Sequence, residues 1–69
     1  MPYRVRIKNK DGVYVAVFRS DSKPTPELEE IINCPRFTGV ARARVKDIFK
    51  AVKLLPDGRA VDLVDAIEV

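Results

Sequence analysis

The sequence has no histidine and no tryptophan, and it contains one cysteine, Cys34. Without histidine, the common Ser-His and Cys-His catalytic arrangements and the usual zinc sites are excluded. A single cysteine cannot form an internal disulfide, and no histidine is present to activate it, so we expect Cys34 to be a structural residue. These absences predict a non-enzymatic protein with no catalytic residue, no metal and no cofactor.

Glycine-rich segments and long apolar runs are also missing. The three glycines, Gly12, Gly39 and Gly58, are isolated, which excludes a glycine-rich phosphate loop. No stretch approaches the ~20 apolar residues of a membrane-spanning helix, and the N-terminus has no apolar signal run. We therefore expect a soluble cytoplasmic protein with no membrane partner.

A chain of 69 residues is short enough to form one domain, which we place at 1–69. A domain of this size buries only about 60% of the surface that its unfolded chain exposes. Small domains are commonly stabilised by disulfides, metals or self-association, and the first two are not expected here. The composition thus makes a homodimer one expected form of the protein.

The charged residues are sorted into four alternating blocks, although the formal net charge is only +3. Residues 1–19 and 34–53 are basic, whereas residues 20–33 and 54–69 are acidic. Sorted charge produces local fields that the net charge hides. Such a surface can attract a polyanion or pair with the opposite blocks of a second molecule.

The N-terminal segment predicts a β-hairpin. Residues 3–8 alternate between apolar and basic side chains, a turn ending in Asp11-Gly12 follows, and residues 13–18 form a second β-rich run. The second run is apolar on both faces, so we expect it in the interior or at a subunit contact. Its candidate interface residues are Val13, Val15, Val17 and Phe18.

One segment resembles a known family: Lys10-Asp11-Gly12-Val13-Tyr14-Val15-Ala16-Val17-Phe18. It is similar to the second strand of HicB-type antitoxins, in which a Gly-Tyr-Val-Ala run follows an acidic turn. The similarity covers only this early part of the chain, because Arg19-Ser20-Asp21-Ser22 replaces the family's Pro-Asp-Leu-Pro-Gly-Cys and its Gly-Asp-Thr helix start is absent. The resemblance implies a toxin-like partner protein.

Two helices are predicted in the middle of the chain. Thr25-Pro26-Glu27 has an N-cap residue, a proline suited to the first turn and an acid, so a short helix is expected over about 26–33. Residues 40–55 fit a longer basic amphipathic helix, because their apolar residues recur at helical spacing over four turns. Strands are the alternative for this segment, since 40–46 alternates and 55–59 resembles a hairpin turn.

The last apolar segment predicts a strand over about 60–64 that joins the hairpin's sheet, because its acids would oppose a helix dipole. The predicted fold is a small single α+β domain in the order ββααβ. A mostly-β domain, with residues 40–55 as strands, is the alternative.

Rows of cations suggest a function. One face of the first strand carries Arg4, Arg6 and Lys8, and the predicted helix presents a basic stripe formed by Arg42, Lys46, Lys50 and Lys53. Tyr14 or Phe18, depending on the strand register, would stand beside the first row as a stacking ring. The acids are expected to be solvated. We expect a nucleic-acid-binding or regulatory module, binding DNA or RNA. The alternative is a protein interaction module, either a homodimer or an antitoxin-like partner binder, without nucleic-acid contact.

Overall fold

The computed structural model describes residues 3–20, 24–53, 56 and 58–69. Five strands form one sheet, in the order β2-β1-β5-β4-β3, which curls into a half-barrel. The strands are β1 (Tyr3–Lys8), β2 (Tyr14–Ser20), β3 (Ile31–Asn33), β4 (Arg42–Val52) and β5 (Val61–Glu68). A short 3-10 turn at Arg36–Thr38 lies between β3 and β4. β5 runs parallel to β1 and antiparallel to β4.

The predicted ββααβ fold is wrong, because the described residues contain no α-helix and are mostly β. In place of the expected helix over 26–33, an exposed turn leads into β3. The Thr25 hydroxyl donates a hydrogen bond to Asp62 and caps no helix. The backbone N–H of Glu29 donates to the carbonyl of Val45, which ties this turn to β4. The mostly-β alternative is the one that fits.

Residues 42–52 form one strand that pairs with β5, and two irregularities shift the alternation of its side chains. The register with β5 shifts between Val45 and Asp47 and again between Phe49 and Val52. The residues that pack into the core are therefore Ala43, Val45 and Ile48, with spacings of two and then three. That mixed spacing is close to the period of a helix, which explains why the sequence predicted one. Because the segment is a strand, the predicted helical stripe of basic residues does not form. Leu55, and with it part of the predicted turn at 55–59, lies outside the described residues.

The predicted N-terminal hairpin is confirmed, since β1 and β2 pair in antiparallel register. In its turn, the Asn9 side-chain oxygen accepts hydrogen bonds from the backbone N–H groups of Asp11 and Val13. Gly12 has a φ of 81°, in the left-handed region that glycine adopts without strain. Of the two alternatives for the second strand, the interior position is wrong, because β2 lies at the edge of the sheet, and the subunit contact stays a prediction.

The core lies on the inner face of the curled sheet. Its largest fully buried side chains are those of Val5, Ile7, Val45 and Val64, from β1, β4 and β5. Two loop segments complete it: Val40 belongs to the core cluster, and Pro26 is buried. The final strand joins the hairpin's sheet as predicted, but it is longer than 60–64 and occupies the centre. Within the described ranges, no helix has the length and apolarity needed to cross a membrane.

Candidate nucleic-acid interface

The face of the sheet opposite the core carries most of the basic side chains of the strands. Side chains of directly paired residues point to the same side of a sheet, so the strand registers assign each residue to a face. We call this face the outer face. Its residues are Arg4, Arg6, Lys8, Tyr14, Val17, Arg19, Ile31, Asn33, Arg42, Arg44, Asp47, Phe49, Leu63, Asp65 and Ile67. Six of them are basic and two are acidic.

An ion pair lies at the centre of the outer face. The Arg6 guanidinium donates from Nε and Nη2 to the two carboxylate oxygens of Asp65, at 2.7 and 2.9 Å. The Tyr14 hydroxyl donates to the same carboxylate at 3.3 Å. The hydrogen bond to Asp65 is the main cause that raises the pKa of Arg6 above its ordinary value. This forked geometry fixes both side chains, and it neutralises Asp65.

The ring of Tyr14 contacts two cations. The guanidinium carbon of Arg6 and the ammonium nitrogen of Lys8 each lie 4.9 Å from its centroid, within the range of cation–π attraction. This position answers the register question for the stacking ring: Tyr14 stands on the outer face, whereas Phe18 packs against the core. A second ring, that of Phe49, stands on the outer face of β4. Both rings are almost half exposed, at 47% and 44%.

Several cations of the outer face have no acidic partner. Among the described residues, no carboxylate lies within ion-pair distance of Arg4, Lys8 or Arg42. The guanidinium of Arg44 approaches Glu29 only to 3.9 Å, at an exposed position. Since Asp65 is already occupied by Arg6, the outer face keeps an excess of positive charge.

The predicted binding residues separate into two groups. The outer face holds Arg4, Arg6 and Arg42. The sequence had predicted a strand for the two N-terminal arginines and a helix for Arg42. Lys46 pairs with Glu29 at 3.3 Å, and Lys50 pairs with Asp62 at 3.4 Å. Lys53 is exposed just beyond the end of β4. A role in binding stays a prediction for all of them.

Sequence reasoning missed three members of the outer face: Arg19, Arg44 and Phe49. Arg44 had a usable signal, because Arg42 and Arg44 alternate with the core residues Ala43 and Val45 as in a half-buried strand. Phe49 had none, since its side of the strand depends on the register shift before Asp47.

A second polar site joins a loop to the sheet around Asp62, which belongs to the inner face. Its carboxylate accepts hydrogen bonds from the hydroxyl of Thr25 at 2.8 Å, the backbone N–H of Ala51 at 3.2 Å and the ammonium of Lys50 at 3.4 Å. The hydrogen bond from the Thr25 hydroxyl is the main cause that lowers the pKa of Asp62. The expectation of solvated acids is wrong here, because Asp62 and Asp65 are both buried.

Neither a metal site nor a reactive thiol is evident in the described part of the chain. No group of three or more cysteine, aspartate or glutamate side chains there is placed to hold a metal ion. Cys34 is partly buried against the core, and burial raises the pKa of its thiol. A raised pKa lowers the thiolate fraction at neutral pH, so this position suits packing better than nucleophilic chemistry.

The predicted interface residues lie along one edge of the sheet. Val13, Val15 and Val17 expose 57%, 44% and 52% of their surface. Phe18 differs, because it is partly buried and packs against the core. The first three therefore remain candidates for contact with another chain.

Comparison with known proteins assigns no function to these surfaces. No protein-family model, no curated protein and no solved structure matches the chain.

Proposed function

We propose that this protein is a small non-enzymatic module that binds nucleic acid in the cytoplasm with the outer face of its sheet. The observation that carries the proposal is the position of Arg4, Lys8 and Arg42. These cations come from two strands, share one open face, and have no carboxylate partner among the described residues. Phosphate groups are the partners that such side chains bind through charge and hydrogen bonds.

The charge of the outer face sets the expected salt dependence. Three of its cations, Arg4, Lys8 and Arg42, have no carboxylate partner among the described residues. If about three phosphates are neutralised, the logarithm of the association constant falls with the logarithm of salt concentration with a slope near −2 for a single strand. An increase from about 50 to about 200 mM salt then weakens binding by about 20-fold.

The test is fluorescence anisotropy of labelled random-sequence oligonucleotides, single-stranded and duplex, titrated with the protein at these two salt concentrations. The double variant Arg4→Ala/Arg42→Ala should weaken binding and reduce the slope for a single strand by about 1.4, since it removes two phosphate contacts.

The matched control is Lys10→Ala/Arg36→Ala, which removes the same charge from exposed positions outside the strands. We expect it to retain most of the affinity of the unaltered protein. Equal losses in the two double variants would mean that binding follows net charge and not the outer face. Absence of binding at the lower salt concentration would refute the proposal.

A second candidate function, protein interaction, is favoured by the edge of the sheet. Among the described strands, β1 is the sheet neighbour of β2, so one side of β2 lacks a strand partner. Exposed edges of this kind can accept a strand from another chain, and three exposed valines flank this one. A second copy pairing through β2 would form a homodimer, and an antitoxin-like partner binder would use the same edge.

Sedimentation analysis over a range of protein concentrations tests self-association. We expect a dimer that persists at high salt and that Val15→Asp dissociates, because a buried carboxylate at the contact is unfavourable. Leu28→Asp is the control, since Leu28 is exposed but lies away from this edge. A monomer at every concentration, or equal effects of the two variants, would contradict pairing through β2.

A further inference from the structure

We infer that the ligand of the outer face is single-stranded nucleic acid, whose bases stack on Tyr14 and Phe49 while Lys8 and Arg4, each level with one of the rings, bind its phosphates. This inference rests on the proposed function and narrows it to one class of nucleic acid. It follows from the width and curvature of the sheet and from the positions of the two rings.

The sheet is too wide to enter a groove of duplex DNA. Five strands span four inter-strand spacings, which is about 19 Å across. The major groove is about 12 Å wide and admits a helix or a two-stranded ribbon, and the minor groove is narrower still. The outer face therefore cannot read a duplex by insertion, and this chain offers no α-helix among its described residues for that purpose.

The curvature of the sheet also disfavours a duplex. The half-barrel encloses the core on its concave side, so the outer face is the convex side. A duplex is a convex, stiff cylinder, and two convex surfaces touch along a narrow strip. A single strand is flexible and can follow a convex sheet from one edge strand toward the other, which brings its phosphates to cations on several strands.

The two rings mark the ends of a path across the outer face. Tyr14 pairs with Lys8, which is level with Ile67, whereas Phe49 is level with Leu63. The rings are therefore separated by four residues along the strands, about 13 Å, and by three inter-strand spacings, about 14 Å. The diagonal between them is about 19 Å, which corresponds to about six stacked nucleotides at 3.4 Å each and to fewer in an extended strand.

The rings suit stacking because they are exposed and the Tyr14 ring is already oriented. Its hydroxyl is hydrogen-bonded to Asp65, and its ring contacts Arg6 and Lys8. A ring held in one orientation loses little conformational freedom when a base stacks on it. On β1, Lys8 is level with Tyr14 and Arg4 is level with Phe49, so these two cations stand at the two ends of the path. Arg6 lies between them and is paired with Asp65.

The experiment compares three labelled probes at about 50 mM salt: a 12-nucleotide oligothymidine, a 12-nucleotide oligouridine and a 12-base-pair DNA duplex. We expect both single strands to bind at least 10-fold more tightly than the duplex. The two single-stranded probes differ in the sugar and in the C5-methyl group of the base, and either DNA or RNA preference is consistent with the inference.

Ring variants give a second readout. Loss of one stacking ring should reduce single-strand affinity by about 5- to 150-fold, as is typical for base–aromatic contacts, with little change in the salt slope. We expect this loss for Tyr14→Leu and Phe49→Leu. Tyr14→Phe keeps a ring and should retain most of the affinity. Phe37→Leu is the control, because Phe37 is highly exposed on the 3-10 turn and is not part of the sheet.

The outcomes separate the inference from the proposed function. Salt-dependent binding in which the duplex equals or exceeds the single strands, or in which the ring variants bind like the unaltered protein, would overturn the single-strand inference and leave nucleic-acid binding intact. Absence of binding to all three probes would overturn both. Thermal unfolding of each variant establishes that a loss of affinity is not a loss of fold.

Discussion

Replacing Thr25 with valine should destabilise the fold, because it removes a hydrogen bond from a buried carboxylate while keeping the size and shape of the side chain. The Asp62 side chain is only 9% exposed, and the Thr25 hydroxyl is its shortest partner, at 2.8 Å. After the substitution, the carboxylate retains the backbone N–H of Ala51 and the ammonium of Lys50 at longer distances. Water has little access to replace the lost donor.

The magnitude follows from the partners that remain. A hydrogen bond to a charged group typically contributes about 1.5–3 kcal/mol to the free energy of unfolding. Because two other donors still satisfy Asp62, we expect a loss at the lower end, about 1–2 kcal/mol. A domain of this length is typically stable by about 3–10 kcal/mol in total. A loss of this size should lower the Tm by about 4–15 °C.

The loss should depend on pH with a defined sign. The hydrogen bond from Thr25 is the largest cause that lowers the pKa of Asp62 in the folded protein. A lowered folded pKa contributes stability that is fully present above the unfolded pKa, about 3.9, and that is lost as the pH falls through the folded pKa. Thr25→Val moves the folded pKa back toward 3.9, so the difference in stability between the two proteins should be full at pH 7 and should shrink below about pH 4.

Urea unfolding of both proteins at a series of pH values between 7 and 2 measures this difference. Thr38→Val is the matched control, because the Thr38 hydroxyl bonds to the backbone of Pro35 and Val40 and to no carboxylate. Its destabilisation should not vary with the ionisation of a side chain. Equal stability of Thr25→Val and the unaltered protein at pH 7, or a difference that persists unchanged at pH 2, would refute the role assigned to this hydrogen bond.

Two further predictions concern the segment between β3 and β4. Gly39→Ala should lower the free energy of unfolding by about 1–2 kcal/mol, because Gly39 has a φ of 76°. An added Cβ would have open space around it, so the cost comes from the backbone conformation alone. Unchanged urea unfolding would contradict the left-handed geometry. Cys34 should react with iodoacetamide more slowly than an unstructured cysteine peptide at pH 7.5, because burial raises the pKa of its thiol. Denatured protein should react at the rate of the peptide. Equal rates in the folded protein and the peptide would contradict the burial of Cys34.

The N-terminal hairpin was predictable because its signals are local. Turn residues at 9–12 stand between two β-rich runs, and nothing distant is needed to read them. The position of β2 was not predictable from the same residues. A run that is apolar on both faces normally indicates an interior strand, yet Val13, Val15 and Val17 are exposed at an edge of the sheet.

Residues 40–55 were misread for a physical reason. Each irregularity in β4 shifts the alternation of inward and outward side chains, so core positions at Val45 and Ile48 are three residues apart. A spacing of three to four is the signature of a helix. Ala51 adopts a positive φ of 54° at the second irregularity, a backbone conformation that a right-handed helix does not contain. Only pairing with β5, a long-range contact, determines this strand.

The candidate site was partly predictable. The first row of cations followed from the alternation in β1, and its position on an outward face is what the structure describes for Arg4 and Arg6. The partners of Asp62 and Asp65 were not predictable, because Thr25 is 37 residues from the first and Arg6 is 59 residues from the second. Contacts at such separations have no local signature in a single sequence.

The central position of β5 has a consequence for the order of folding. β1 cannot complete its pairing until the chain has been synthesised through Glu68, because β5 is its parallel neighbour. Until then the hairpin's apolar side faces water, and the side of β1 that β5 will occupy can be taken by any extended strand of another molecule. Closing so long a loop places folding in the slow, millisecond-to-second regime of β proteins. The unpaired side of β1 is therefore open to another molecule's strand until β5 pairs with it.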